Sequence, residues 1–287
     1  MNIKQKIAQI LLQTLNKVMG DDQALELMKY WLRRLPTKYA FPITWVCLNE
    51  FTLDSTSESK WESGVLRDFP NVQVNVNPKC LGSRFFSLCG YFEDDLTQKI
   101  LNSNYSGLLV DIGANFGYYS ILWLQKNNSR VIAVEPVTEY IELLEQNLSP
   151  YESRYKIFKG CVGDYQGKAL LDTCGDPTMV SRVVPDDGSG KMREVPMIAL
   201  TPLLEKYNED RIEVLKVDAE GYDVKILNNC KPLFEAKKIK TVFWESAAGS
   251  EYLGNVEAEK EIILFLERLG YRRIMSGGIV GYELPAA

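Results

Sequence analysis

Histidine is absent from all 287 residues. That excludes Ser-His-Asp and Cys-His catalysis, histidine zinc sites and a histidine general base. Any proton transfer has to use Asp, Glu, Tyr, Lys, Cys or water. Paired cysteines are missing too. The six cysteines, at 47, 80, 89, 161, 174 and 230, form no C-x-x-C pair and no zinc-like spacing. Several lie inside apolar stretches, where a free thiol acts as a small hydrophobe, and the pattern suits a reducing cytoplasm. No run approaches the roughly 18 uninterrupted apolar residues that span a bilayer. The opening "IAQILLQTLNKVM" is broken by Gln9, Gln13, Asn16 and Lys17, which argues against a signal peptide. A net charge of −5 argues against a nucleic-acid surface or an anionic-membrane surface, so neither is expected as a partner.

What is present is ample apolar material, 46% of the chain, enough for one large core or a core with an extra subdomain. Ile3, Ile7, Ile10, Leu11, Leu15 and Val18 recur at helical spacing up to Gly20, and "DDQALELMKYWLRRL" gives a second helix ended by Pro36. This pair either caps the main domain or forms a homodimer contact. Residues 55–64 read as loop, and "NVQVNVN" at 71–77 as a half-exposed strand. An N-terminal accessory region is therefore expected over about 1–80. From about 85 the pattern is α/β. Strands are expected at 108–112, 131–135, 156–162, 213–218, 240–245, 271–275 and 279–284. Helices are expected at about 93–103, 117–127, 138–148, 223–236 and 255–269. Alternation of this kind calls for a parallel sheet, and the short "SGG" joining the last two strands for an antiparallel hairpin at its edge. An inserted β-hairpin at about 165–200, with a polar tip at 185–193, interrupts the rhythm.

The chemistry concentrates at "LLVDIGANFGYYS". A dinucleotide loop needs G-x-G-x-x-G, but Asn115 stands where the second glycine belongs, and the strand ends in Asp111, a poor neighbour for a pyrophosphate. No Gly-Lys-Ser/Thr follows, so a nucleotide-phosphate loop is absent as well. An acid at a strand end suits a ligand with a positive group. Glu135, at the end of "VIAVEP" 24 residues later, can accept from both hydroxyls of a ribose. An ammonium-binding acid beside a ribose-binding acid describes S-adenosylmethionine, and the loop Gly160–Asp164 can hold its adenine. A generic strand-turn-helix with solvated acids is the plain alternative. A third acid-ended strand, "VLKVDAEGYDVKIL", brings Asp218, Glu220 and Gly221, and "TVFWES" brings Glu245 to the same rim.

The segments "LLVDIGANFGYYS", "VIAVEPVTEYIELLEQNL" and "VLKVDAEGYDVKILNNCKPLF" resemble, in order and spacing, the FkbM-type family of S-adenosylmethionine-dependent methyltransferases. "CGYFEDDLTQKI" looks like that family's lead-in segment, and the resemblance covers about residues 85–250. It implies an α/β class I methyltransferase fold, a Rossmann-like seven-stranded sheet of order 3-2-1-4-5-7-6 with the last strand antiparallel, over residues 81–287. It also implies methyl transfer to an oxygen of a sugar, glycan or secondary metabolite. One departure is that "MIALTPLLEKY" has Leu-Thr-Pro where the family usually has Thr-Leu-Asp.

The expected cofactor contacts are Asp111, Gly113, Ala114, Asn115, Gly117, Glu135, Pro136, Cys161, Val162 and Asp218. Tyr91, Phe92 and Trp244 are candidate walls around the sulfonium. Asp218 is the first candidate for the proton acceptor, with Glu220 and Glu245 as alternatives. Each has a plainer role open to it: Asp218 orienting a ligand or the methionine amine, Glu220 capping a helix, Glu245 pairing with a nearby Lys or Arg. These carboxylates also suit a hard metal, but nothing in the spacing demands one, and none is expected. The rivals to O-methylation are N-methylation of a small amine and a non-catalytic S-adenosylmethionine-binding module.

Overall fold

The computed structural model describes residues 3–51, 56–172, 182–184, 192–249 and 255–285. The chain divides into two units between Lys99 and Ile100. The N-terminal unit opens with helices α1 (Ile3–Met19), α2 (Asp21–Leu32) and α3 (Thr37–Glu50). A small antiparallel pair follows, β1 (Ser63–Val65) with β2 (Gln73–Asn75), and then α4 (Leu81–Cys89). Helix α5 (Asp94–Asn102) carries the chain across the boundary. Leu12, Leu25, Leu32, Cys47, Phe51, Trp61 and Phe86 are buried here, and the Trp61 indole N–H donates to Thr56 Oγ1 (2.7 Å). The unit runs past the boundary expected near 80 because α4 packs on α2, α3 and β1. Tyr91 and Phe92 belong to its aromatic cluster, with Phe92 stacked on Phe85 and Phe86.

The C-terminal unit begins with β3 (Leu108–Ile112), α6 (Tyr118–Leu124), β4 (Arg130–Glu135), α7 (Thr138–Leu148) and β5 (Tyr155–Lys159). Next come β6 (Cys161–Val162), β7 (Gly167–Asp172), β8 (Arg182–Val184), β9 (Arg193–Ile198), α8 (Leu200–Lys206) and β10 (Ile212–Val217). It ends with α9 (Asp223–Asn229), α10 (Lys231–Glu235), β11 (Ile239–Glu245), α11 (Val256–Arg268), β12 (Arg272–Met275) and β13 (Ile279–Glu283). The main sheet has seven strands in the order β12-β13-β11-β10-β3-β4-β5, with β13 antiparallel to both neighbours. Counted along the chain this is 3-2-1-4-5-7-6, a class I methyltransferase sheet. Every residue of β3 is buried, as befits a central parallel strand covered on both faces. The helix expected over 223–236 is two helices that meet at Cys230, because Pro232 cannot donate to a preceding turn.

The inserted segment contributes β7, β8 and β9 to a second, four-stranded sheet of order β6-β9-β7-β8. β7 and β9 pair antiparallel, while β6 and β9 run parallel. Residues 185–191 of the expected polar tip lie outside the described residues. The five described cysteines are free and buried. Burial pushes the thiols of Cys47, Cys89, Cys161 and Cys230 up to about 12. Among the described residues no helix is long and apolar enough to cross a membrane.

Candidate functional site

Strand register gathers the predicted acids on one edge of the main sheet. Ile112 pairs with Val134 of β4 and with Val217 of β10, and Val217 pairs with Trp244 of β11. The next residue on each strand is therefore Gly113, Glu135, Asp218 and Glu245, all at one level on the carboxyl edge. In open α/β sheets this edge is where ligands bind, at the point where the strand order reverses. Here that point lies between β3 and β10.

The turn after β3 is wound tightly. Gly113 has φ +73°, and a Cβ on it would lie 1.9 Å from the backbone oxygen of Asp218. Only glycine lets the two loops approach so closely. The N–H groups of Gly113 and Ala114 both donate to Val134 O (3.0 Å each). Asn115 is left-handed (φ +52°), and its Oδ1 accepts from the N–H of Phe116 (2.8 Å). Gly117 then caps α6 in the left-handed region.

Glu135 holds this turn. Its Oε2 accepts from Asn115 N–H (2.8 Å) and its Oε1 from Val137 N–H (2.9 Å). Burial pushes its carboxyl up to about 7, although the two backbone N–H groups pull the other way. Each oxygen keeps a second lone pair, so the carboxylate fits a pair of sugar hydroxyls as donors. Its place on the carboxyl edge of the sheet, next to the β3 turn, is compatible with the nucleoside part of S-adenosylmethionine. Pro136 follows, partly exposed. Cys161 and Val162 are buried in β6, paired with Met197 and Ile198, with Asp164 exposed just beyond them.

Asp111 departs from its expected role. Its side chain is fully buried, Oδ2 accepts from Ser120 Oγ (2.7 Å), and Oδ1 faces Lys216 Nζ at 3.5 Å. A carboxylate sealed under the turn does not meet an ammonium in the crevice; it supports the turn from below. The residue that sequence reasoning missed is Lys216, which lies within the quoted "VLKVDAEG" segment. It is the register partner of Asp111, and its buried ammonium also pairs with Asp218 Oδ2 (3.1 Å) and reaches Gly113 O (3.4 Å). The lysine thus ties the β3 turn to the β10 loop.

Asp218 itself is partly exposed. The loop after it turns through Glu220 (φ +49°) and Gly221 (φ +95°), both left-handed. Buried Asp223 winds it, accepting from Ala219 N–H (3.2 Å) and Gly221 N–H (3.3 Å). Burial first, then the neighbouring Asp218 charge, raises the Asp223 carboxyl to about 6. Glu220 and Glu245 are also partly exposed. Tyr222 Oη donates to Asp164 Oδ1 (2.7 Å), linking this loop to the one after β6. Trp244 is no crevice wall. It is buried, stacks on Tyr282 and donates its indole N–H to Glu259 Oε1 (2.8 Å), because the β11 register turns it into the core. Among the described residues no cluster of three or more His, Cys, Asp or Glu side chains is placed to hold a metal ion.

A family model described as "Methyltransferase FkbM domain" matches residues 111–273. No curated protein matches the chain significantly. Solved structures that are similar include the precorrin-6Y C5,15-methyltransferase of Geobacter metallireducens, with 12% identity, 66% of this chain and 87% of that one covered, and a TM-score of 0.38. Another is TrmK of M. capricolum in complex with S-adenosyl-homocysteine, with 12% identity, 67% and 69% covered, and a TM-score of 0.39.

Proposed function

Because the chain belongs to the FkbM methyltransferase family, we propose that this S-adenosylmethionine-dependent methyltransferase methylates a hydroxyl oxygen of a sugar, glycan or secondary metabolite, with Asp218 as the proton acceptor. The observation that carries this reading is the contact between two loops. Asp218 leaves β10 against the Gly113 turn and presents a partly exposed carboxylate there. A carboxylate so placed stands at the same carboxyl edge of the sheet as Glu135, on the other side of β3.

When bound, S-adenosylmethionine supplies a methyl group activated by its sulfonium. Glu135 accepts hydrogen bonds from the ribose hydroxyls, and Gly113 lets the β3 turn close against Asp218. Lys216 holds Asp218 and the turn in one geometry, and fixed alignment of this kind is worth up to about 7–11 kcal/mol in favourable reactions. Asp218 receives the proton that an alcohol sheds as it is methylated. A chain without histidine assigns that task most simply to a carboxylate. Glu220 and Glu245, on the same rim, are the alternatives.

The test is Asp218→Asn. Hydroxylated small molecules and glycans are screened for transfer of a labelled methyl group, and the variant is then compared with the natural chain on the acceptor found. It is expected to bind S-adenosylhomocysteine within about threefold of the natural chain and to lose at least about 100-fold in turnover, the size of a general-base contribution. Full turnover would move the base elsewhere. An acceptor methylated only on nitrogen would replace the O-methyl reading by N-methylation.

A further inference from the structure

The N-terminal helices carry a charge balance and a surface unlike the rest of the chain. Residues 1–51 hold seven basic and four acidic side chains, a net +3, whereas the whole chain is −5 and the remainder therefore −8. Of the twelve large apolar side chains exposed among the described residues, eight lie between Ile10 and Trp45. A soluble surface tolerates single exposed apolar residues, but a concentration of this kind marks a contact surface.

The arrangement repeats on each helix. On α3, Lys38, Phe41 and Trp45 follow one another at three and four residues, so they share a stripe, and all three are exposed. The opposite side of α3, with Ala40, Thr44 and Cys47, is buried. At the end of α2 the exposed Tyr30 and Trp31 rings meet edge to face at 5.6 Å, and the Arg34 guanidinium lies 3.6 Å from the Tyr30 ring centre. On α1, Leu11 (59% exposed) and Val18 (76% exposed) stand seven residues apart on one face beside Lys17, while Leu12 faces the core. Glu26, the exposed acid of α2, is engaged by Lys29 (3.2 Å). Each outward face thus pairs apolar or aromatic side chains with a cation.

We propose that the outer faces of α1–α3 bind an anionic lipid bilayer peripherally. Tryptophan and tyrosine favour the level of the headgroups, aliphatic side chains enter the acyl boundary, and lysine and arginine meet lipid phosphates and carboxylates. The acidic charge that argues against a membrane partner resides in the other residues, whereas residues 1–51 are net positive and expose Lys6, Lys17, Arg34 and Lys38. Among the described residues no helix is long and apolar enough to cross the bilayer, and an association that rests on these surface charges falls with salt.

The experiment is sedimentation of the full chain with vesicles of phosphatidylcholine mixed with phosphatidylserine, and with vesicles of phosphatidylcholine alone. Tryptophan emission is recorded alongside. Binding to the mixed vesicles is expected at least tenfold above the neutral ones, reversed by high salt, with a blue shift of the emission. Trp31→Ser with Trp45→Ser, and separately Arg34→Glu with Lys38→Glu, are each expected to lower binding at least tenfold while leaving S-adenosylhomocysteine affinity unchanged. Alkylation of the buried Cys47, Cys80 and Cys89 that stays as slow as in the natural chain certifies that the N-terminal helices of the variants fold. Absence of binding to either vesicle, or binding that both double variants retain in full, overturns the proposal. So does a stable dimer in sedimentation velocity that these substitutions split, for then a second copy covers the surface.

Discussion

Asp111 and Glu135 look alike in the sequence, each an acid at the end of an apolar strand, and the structure gives them different work. Asp111 is locked between Ser120 and Lys216, so its removal is first a stability event. Asp111→Ala leaves the buried ammonium without one of its two carboxylates and is expected to cost about 3–5 kcal/mol, read as a lowered midpoint in urea; an unchanged midpoint would contradict the buried pair. In the proposed function Glu135 meets the ribose, and burial pushes its carboxyl up to about 7. Its ionised form is the one that accepts from hydroxyl donors. Affinity for S-adenosylhomocysteine is therefore expected to fall about tenfold between pH 8 and pH 6, and calorimetry at several pH values checks it. For this same group the effect on folding has the opposite sign. A carboxyl raised above its unfolded value penalises the fold above about pH 7, and the penalty fades as the pH falls toward 4.5. A flat affinity profile would remove Glu135 from the ribose. The sequence displayed both acids but hid Lys216, because its partnership exists only through the register of β10 on β3. Period-2 patterning says that Lys216 and Asp218 share a side; it does not say which strand lies opposite.

At the scale of elements, the β3 turn and the β10 loop behave as one piece. Gly113→Ala places a methyl on the Asp218 carbonyl, whereas Gly270→Ala, also left-handed at φ +87°, meets nothing within 4 Å. The Gly270 change is expected to cost about 1 kcal/mol, from backbone strain alone. The Gly113 change should cost about 2–5 kcal/mol, from strain plus overpacking, and it should weaken S-adenosylhomocysteine binding as well. Paired urea melts and titrations decide between them; equal costs would mean that the two loops are not in contact. The strands and most helices of this unit were legible because buried parallel strands read as apolar runs and their helices keep a clear period. Helix α3 was not. Pro42 lies inside it, and its β-branched and aromatic residues carry no clean amphipathic signal. Its packing against α1 and α4 supplies the stability that its own sequence does not advertise.

For the molecule as a whole, the strand order came from the resemblance to the FkbM-type family, while the parallel sheet and its edge hairpin were readable in the alternation of strands and helices. The extent of the N-terminal unit was not, since α4 joins it through contacts distant in sequence. The Trp244 assignment failed for the related reason that a one-residue change of side exchanges crevice for core. The buried thiols add something of a different kind. With Cys47, Cys80 and Cys89 in one unit and Cys161 and Cys230 in the other, all sealed from solvent, an alkylating reagent reacts only when the fold around a thiol opens. Each half of the chain therefore carries its own clock. Under S-adenosylhomocysteine at about a hundred times its dissociation constant, Cys161 and Cys230 are expected to label about 100-fold more slowly, with the other three unchanged. Mass spectrometry of the labelled peptides would read both clocks in a single sample, and a common slowing of all five would show that the two halves open together.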